Sequence, residues 1–200
     1  MALLFANNNS LSAITTKPSG LSGGAMNLIS TQTASSSSTI SFTSGIDDTY
    51  DEYVFKFYNI HPATDGAELT VGFRDGSTDY DATKTTTVFE AYHNEAGDDS
   101  GLAYQTAEDI AQGTGFQNIS KNLGTDNDQN ACGQLHLFAP SSTTFVKHFM
   151  SRLNNIQHNE YSLDYHVAGY CNVTAAIDAV QFKMSSGNID SGVIKLYGIS

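Results

Sequence analysis

The chain has 200 residues, with 21 Asp and Glu against nine Lys and Arg, and a formal net charge of −12. This length fits one domain whose core can form without disulfides or metals. The acidic balance argues against binding to nucleic acid or anionic membrane, because phosphate contacts require a basic patch. Only 15% of the residues are charged, which predicts a surface made polar by hydroxyl and amide groups.

Residues 1–24 are predicted to form an extended N-terminal arm, because too few apolar groups are present to offset the entropy of ordering it. The segment has no acidic residue and a single basic one, Lys17. Spaced apolar residues would dock the arm onto a neighbouring subunit, and a frayed terminus is the alternative. These candidate interface residues are Leu3, Leu4, Phe5, Leu11 and Ile14.

The first six residues lack the positive region and the long apolar run of a signal peptide. No segment reaches the roughly 18 apolar residues that a membrane span requires. We therefore expect a protein made in the cytoplasm without membrane insertion.

From residue 25 onward, short apolar runs are separated by Gly, Asp, Asn and Ser clusters, which is typical of strands. Alternation with a period of two is clearest between residues 145 and 153, where one face is predicted to be buried and the other mixed. The predicted strands cover residues 26–33, 39–43, 53–61, 68–73, 85–92, 133–139, 144–153, 161–170, 177–184 and 192–199.

Residues 93–130 form a long excursion rich in Gly, Asp and Asn, and loops of this length are often functional. Within it, residues 103–112 are predicted to be the single short helix. A binding loop is expected here, and its candidate residues are Tyr92, His93, Tyr104, Asp126 and Asp128.

These patterns predict an all-β fold, a two-sheet antiparallel β-sandwich of jelly-roll type, formed by residues 25–200 and preceded by the arm. The last strand, which ends at Ile199, is expected to pair with an early strand and close the sandwich.

No local metal or cofactor motif is present among the six histidines. If the strands pair in register, His136, His148 and His166 could share one face, where they would either pack or bind a transition metal. The stretch from Asp126 to Asn130 begins like a calcium loop, but Ala131 replaces the required glycine, so an EF-hand is ruled out. A looser calcium site and simple turn formation remain the alternatives.

The two cysteines, Cys132 and Cys171, are expected to be small buried residues, with a disulfide as the alternative. Cys171 lies five residues after His166, and residues of odd separation on one strand face opposite sides, so these two cannot form a nucleophile and base pair. No catalytic motif appears and no enzyme activity is predicted, although glycosidase carboxylates would leave no local signature.

The ending from Ser185 to Ser200, with its SGxIxLYGI pattern, and the Ser-rich opening from Met26 to Phe42 resemble small virion structural proteins of tailed phages, especially marine ones. The likeness covers residues 26–73 and 177–199. It implies a β-sandwich on the phage particle and no catalytic residues. It also implies a structural role as the closing strand for Gly192, Ile194, Leu196, Tyr197 and Gly198.

This resemblance favours a capsid decoration subunit, because the chain is short and lacks the repeats or heptads of a fibre shaft. The alternative is a tail-fibre or receptor-binding adhesin that recognises host-surface carbohydrate. The expected location is the virion, the expected partners are other virion proteins, and a homo-oligomer is predicted with a trimer favoured.

Overall fold

A computed structural model describes residues 25–199, which form twelve β-strands and no helix. The predicted arm, residues 1–24, lies outside the described residues. The strands are β1 (Met26–Ser37), β2 (Ile40–Phe42), β3 (Glu52–Pro62), β4 (Leu69–Arg74), β5 (Lys84–Asn94), β6 (Ser100–Tyr104), β7 (Gln117–Asn118), β8 (Ala131–Phe138), β9 (Lys147–Ile156), β10 (Tyr161–Cys171), β11 (Ala179–Met184) and β12 (Ile189–Ile199).

The strands form two sheets whose inner faces enclose a common core. The larger sheet has eight strands in the order β1-β12-β3-β8-β9-β10-β5-β6, and the smaller has four in the order β2-β11-β4-β7. Neighbouring strands in both sheets run antiparallel. The predicted all-β, two-sheet sandwich is therefore confirmed.

Eight of the strands follow the jelly-roll path, in which the chain crosses between the sheets at nearly every connection. Strands β1, β12, β3 and β8 lie side by side in the larger sheet and complete this path with the smaller sheet. The last strand, β12, lies between β1 and β3, as predicted. Two inserted hairpins, β5–β6 and β9–β10, add four strands to the larger sheet beyond β8.

The core forms because alternate residues of each strand face inward. In β9 the burial pattern alternates without a break through nine residues, with Phe149 and Leu153 buried. Phe182 of the smaller sheet makes edge-to-face contacts with Phe55 and Phe57 of the larger one, at centroid distances of 5.3 and 5.1 Å. Burial of each such ring contributes roughly 1.5 to 3 kcal/mol, so these contacts hold the sheets together.

The closing strand β12 depends on two glycines that admit no side chain. A Cβ at Gly198 would overlap the ring of Tyr50, and a Cβ at Gly192 would lie 2.8 Å from the carbonyl oxygen of Asn59. Gly192 also has a φ of +129°, which residues other than glycine rarely adopt. Between them, Ile194 and Leu196 are buried in the core, whereas Tyr197 faces outward beside Val54.

The helix predicted over residues 103–112 is not formed, and that prediction was wrong. The segment begins inside strand β6, where Tyr104 pairs with Phe89. Farther on, the backbone N–H of Ile110 donates to the Thr86 hydroxyl over 2.8 Å, and the Thr86 N–H donates to the Ile110 carbonyl. The segment's backbone groups are therefore satisfied by β5 rather than by a helical turn.

Cys171 lies between two buried lysines in one row across three strands. It pairs directly with Lys84 on β5 and with Lys147 on β9, and all three side chains are buried. The amino groups donate to backbone carbonyls, Lys84 to Gly115 over 2.7 Å and Lys147 to Val173 over 2.9 Å. Burial raises the pKa of the Cys171 thiol to about 12, although the two lysines act to lower it.

This raised pKa predicts a loss of stability in alkali that the substitution Cys171→Ala should remove. The unfolded thiol ionises near pH 9, whereas the folded thiol stays protonated, so its contribution is complete below pH 9 and is lost as the pH rises toward 12. Between pH 8 and 10.5 the wild type should lose about 2 kcal/mol more of its free energy of unfolding than the variant does. Urea unfolding at both pH values measures this difference, and equal losses would contradict it.

Candidate interaction face

One side of the eight-stranded sheet faces away from the core, and its outward-pointing residues are called the open face below. Of the large apolar side chains that are exposed within residues 25–199, all but Phe145 lie on it. Leu102 is 74% exposed, Leu28 57% and Met150 52%. The other members of this group are Met26, Tyr58, Phe89 and Tyr104.

Strand register places some of these side chains next to one another. Phe89 of β5 lies opposite His166 of β10 and stacks on it, with ring centroids 4.6 Å apart and planes at 11°. Tyr104 of β6 lies on the other side of Phe89. Met150 of β9 lies opposite Ala168, whose small side chain leaves a depression in the surface. Phe89, Tyr104 and Met150 therefore lie on the neighbouring strands β9, β10, β5 and β6 or against them, at one end of the open face.

Three grooves run over the open face. The largest, about 590 Å³, lies between β3 and β10 and is lined by Lys56, Tyr58 and Arg152 among others. A second of about 350 Å³ lies between Phe89 and Met150, and a third of about 460 Å³ lies beside Tyr170. Grooves of this kind receive side chains of a partner when an interface forms.

The charges of the open face are few and mostly paired. Arg152 binds Asp164 through two hydrogen bonds of 2.9 and 2.8 Å, and these bonds are the main reason why the pKa of Asp164 is lowered. Glu52 pairs with His136. Among the 21 acidic residues, only Glu52, Glu90, Asp164 and Asp190 lie within strands, and Glu90 points to the inner side. The remaining acidic residues lie in the loops around the sandwich.

The prediction that His136, His148 and His166 could share a face is confirmed, since all three point outward from the larger sheet. They do not converge on one point: His136 contacts Glu52, His166 contacts Asp164, and His148 lies beside Tyr170. Within residues 25–199, no three His, Cys, Asp or Glu side chains are grouped as metal ligands.

The residues of the predicted binding loop are distributed over three places. His93 and Tyr104 point outward on β5 and β6, and the Tyr104 hydroxyl donates to Asp109 over 2.6 Å. Tyr92 points to the inner side of the same hairpin and packs against the core. Asp126 and Asp128 are exposed in the turn before β8, where the Gln129 side chain accepts a bond from the Asp126 N–H.

The two cysteines are free and lie on opposite sides of the larger sheet. Cys171 is buried as predicted, but Cys132 is exposed, which corrects that half of the prediction. Its sulfur accepts a hydrogen bond from the Asn59 N–H over 3.2 Å at the rim of the largest groove. His166 points outward and Cys171 inward, so the prediction that they cannot act together is confirmed.

The open face itself was not predicted as a site, although a signal for it exists in the sequence. Leu28, Phe89, Leu102 and Met150 all stand at strand positions of opposite phase to the core residues. Apolar residues in the solvent phase of several strands indicate a covered surface, and this pattern becomes visible only once the strands are placed side by side.

No protein-family model matches the chain, and no curated protein shows significant similarity to it. Within residues 25–199 there is no helix that could span a membrane.

Proposed function

We propose that this protein is a non-enzymatic structural subunit on the surface of a tailed-phage virion, where it decorates the capsid and packs through its open face against neighbouring subunits. The open face is the observation that carries this proposal. The resemblance of residues 26–73 and 177–199 to phage virion proteins supports the particle as the place of action.

The composition of the open face is that of an interface core. Such cores are depleted in free charges and enriched in aromatic residues, Met and Arg. Tyr58, Phe89, Tyr104, Met150 and Arg152 provide these residue types on one surface. A monomer in water gains nothing from exposing apolar side chains together, so a partner that covers them gives the pattern its physical reason.

A second copy of the chain is the partner that the charges favour. The open face carries Lys56, Arg152 and Lys195 against Glu52 and Asp164, whereas the loops carry most of the chain's negative charge. Packing the open face of one copy against the acidic loops of the next is a head-to-tail contact. Such contacts close into a ring when the rotation from copy to copy divides a full turn evenly, and a trimer is the smallest ring of this kind.

Imaging the particle tests the proposal directly. Cryo-electron microscopy of purified virions, with an antibody fragment raised against residues 25–199, should place the protein in a regular array on the capsid shell. Label confined to the tail would favour the adhesin instead. Absence of the chain from purified virions by mass spectrometry would contradict both.

A further inference from the structure

A polar cleft, separate from the open face, lies on the inner side of the larger sheet near the end of β5 and the start of β10. Its volume of about 300 Å³ is at the small end of the range for pockets that bind small molecules. The side chains that shape it include Glu90, Tyr92, Gln105, Lys121, Gln157 and Tyr161.

Two tyrosine rings provide the apolar walls of the cleft. The centroids of Tyr92 and Tyr161 are 6.0 Å apart and their planes are inclined at 59°, so the rings form a corner rather than a stack. Tyr92 lies across Gly101 on β6, where a Cβ would approach its hydroxyl oxygen to 2.7 Å. A glycine at this position therefore allows the ring to lie flat along the wall.

The three charged side chains of the cleft, Glu90, Asp99 and Lys121, are all engaged by other groups of the protein. The amino group of Lys121 donates to both carboxylate oxygens of Glu90 over 3.2 Å and to the side-chain oxygen of Gln105 over 2.9 Å. The hydroxyl of Tyr161 donates to Asp99 over 2.8 Å. Lys121 is therefore already engaged, and the cleft has no free cation to attract a phosphate or a carboxylate.

Side-chain amide groups with unused hydrogen-bonding capacity lie beside the Lys121–Glu90 pair. Among residues 25–199, the side-chain amides of Asn122 and Gln157 bind no other protein group, and Gln105 uses its oxygen only. Asn122 is held with a φ of +51°, a conformation that asparagine tolerates better than most residues. Amides of this kind can donate to one hydroxyl and accept from another.

We propose that this cleft binds a neutral saccharide of one or two rings. The apolar C–H face of a sugar ring would pack against Tyr92 or Tyr161, and its hydroxyls would bond to Gln105, Asn122 and Gln157. The Lys121–Glu90 pair would bind further hydroxyls without favouring an anionic sugar. This site is separate from the open face, so a failure of the saccharide proposal would not contradict the proposed role in the virion.

Titration of the isotope-labelled full chain with methyl glycosides of glucose, galactose, mannose and N-acetylglucosamine, followed by NMR, tests the site. At least one should give saturable shifts centred on the backbone amides of Tyr92, Gly101, Lys121 and Tyr161. Tyr161→Ala should weaken that binding at least tenfold, and Ala103→Leu, which fills the cleft without removing a polar group, should do the same.

Tyr104→Ala is the matched control, because it removes a tyrosine from the same hairpin but from its opposite side, and it should bind as the wild type does. No saturable shifts with any of the four glycosides would overturn the proposal. The Leu side chain of Ala103→Leu would occupy the cleft, so a saccharide that binds there must bind this variant more weakly. Binding of the variant as tight as that of the wild type would therefore also overturn the proposal. So would binding of methyl glucuronide alone, since that would require a cationic site.

Discussion

Replacing Met150 and Leu102 together by Glu should abolish self-association of the protein while leaving the domain folded. Both side chains are more than half exposed in the single chain, so the folded monomer loses little by the change. In an assembled interface, two carboxylates would have to be desolvated without partners, which costs several kcal/mol. We expect the dissociation constant of the oligomer to rise at least 100-fold, as measured by sedimentation velocity over a concentration series.

Phe145→Glu is the matched control for this experiment. Phe145 is as exposed as Leu102, at 74%, but it lies in the turn before β9 and not on the open face. The Phe145→Glu variant should therefore have an association constant within a factor of about three of the wild-type value. An equal loss of association in Phe145→Glu would show a general effect of charge, and unchanged association in the double variant would show that the open face is not the contact surface.

The arrangement of strands was predictable where alternation continues long enough to be read. Ten strands were expected, and each corresponds to one in the structure. The two that were missed are β6 (Ser100–Tyr104) and β7 (Gln117–Asn118), which have five and two residues. Segments of this length carry too few alternations to be distinguished from turns, and their pairing with β5 and β4 is decided by tertiary contacts.

The open face was not predictable from one strand at a time. In β9 the sequence separates Phe149 and Leu153 from Met150 and Arg152, but it does not say which of two partly apolar faces meets the second sheet. That choice depends on the hairpins β5–β6 and β9–β10 extending the larger sheet past β8. The cleft could not be predicted from the sequence either. Lys121 and Glu90 are 31 positions apart and come into contact only in the folded sandwich.

Charge is distributed unevenly over the surface of the molecule. Most carboxylates lie in the loops, where water solvates them. Two of the few carboxylates within the long strands, Glu52 and Asp164, are paired with His136 and Arg152. A strongly negative molecule repels its own copies at long range, so association requires a surface where that charge is low. The open face is such a surface, and residues Met26 and Leu28 carry it to the outer edge of the sheet at β1, where the N-terminal segment joins.

Deleting residues 1–24 should leave the isolated domain as stable as the full chain and abolish its incorporation into particles. Residues 25–199 form a closed core that runs from Ala34 to Leu196, so the thermal midpoint should change by no more than about 2 °C. Burial of Leu3, Leu4, Phe5, Leu11 and Ile14 on adjacent subunits would contribute roughly 1.5 to 3 kcal/mol each. Ordering the backbone costs roughly 1 to 2 kcal/mol per residue, so backbone hydrogen bonds to a neighbour, such as strand addition, must contribute as well.

Substitutions within the arm separate the role of its apolar residues from that of its length. Changing Leu3, Leu4 and Phe5 to Ser should reduce occupancy on particles at least tenfold, as measured by quantitative mass spectrometry of purified virions. The same change at Asn7, Asn8 and Asn9 should have no effect, because these polar side chains gain nothing from burial. If the truncated chain loads at normal occupancy, the arm is not the anchor. The protein would then attach to the particle through its folded domain, and a function as an adhesin would be favoured over capsid decoration.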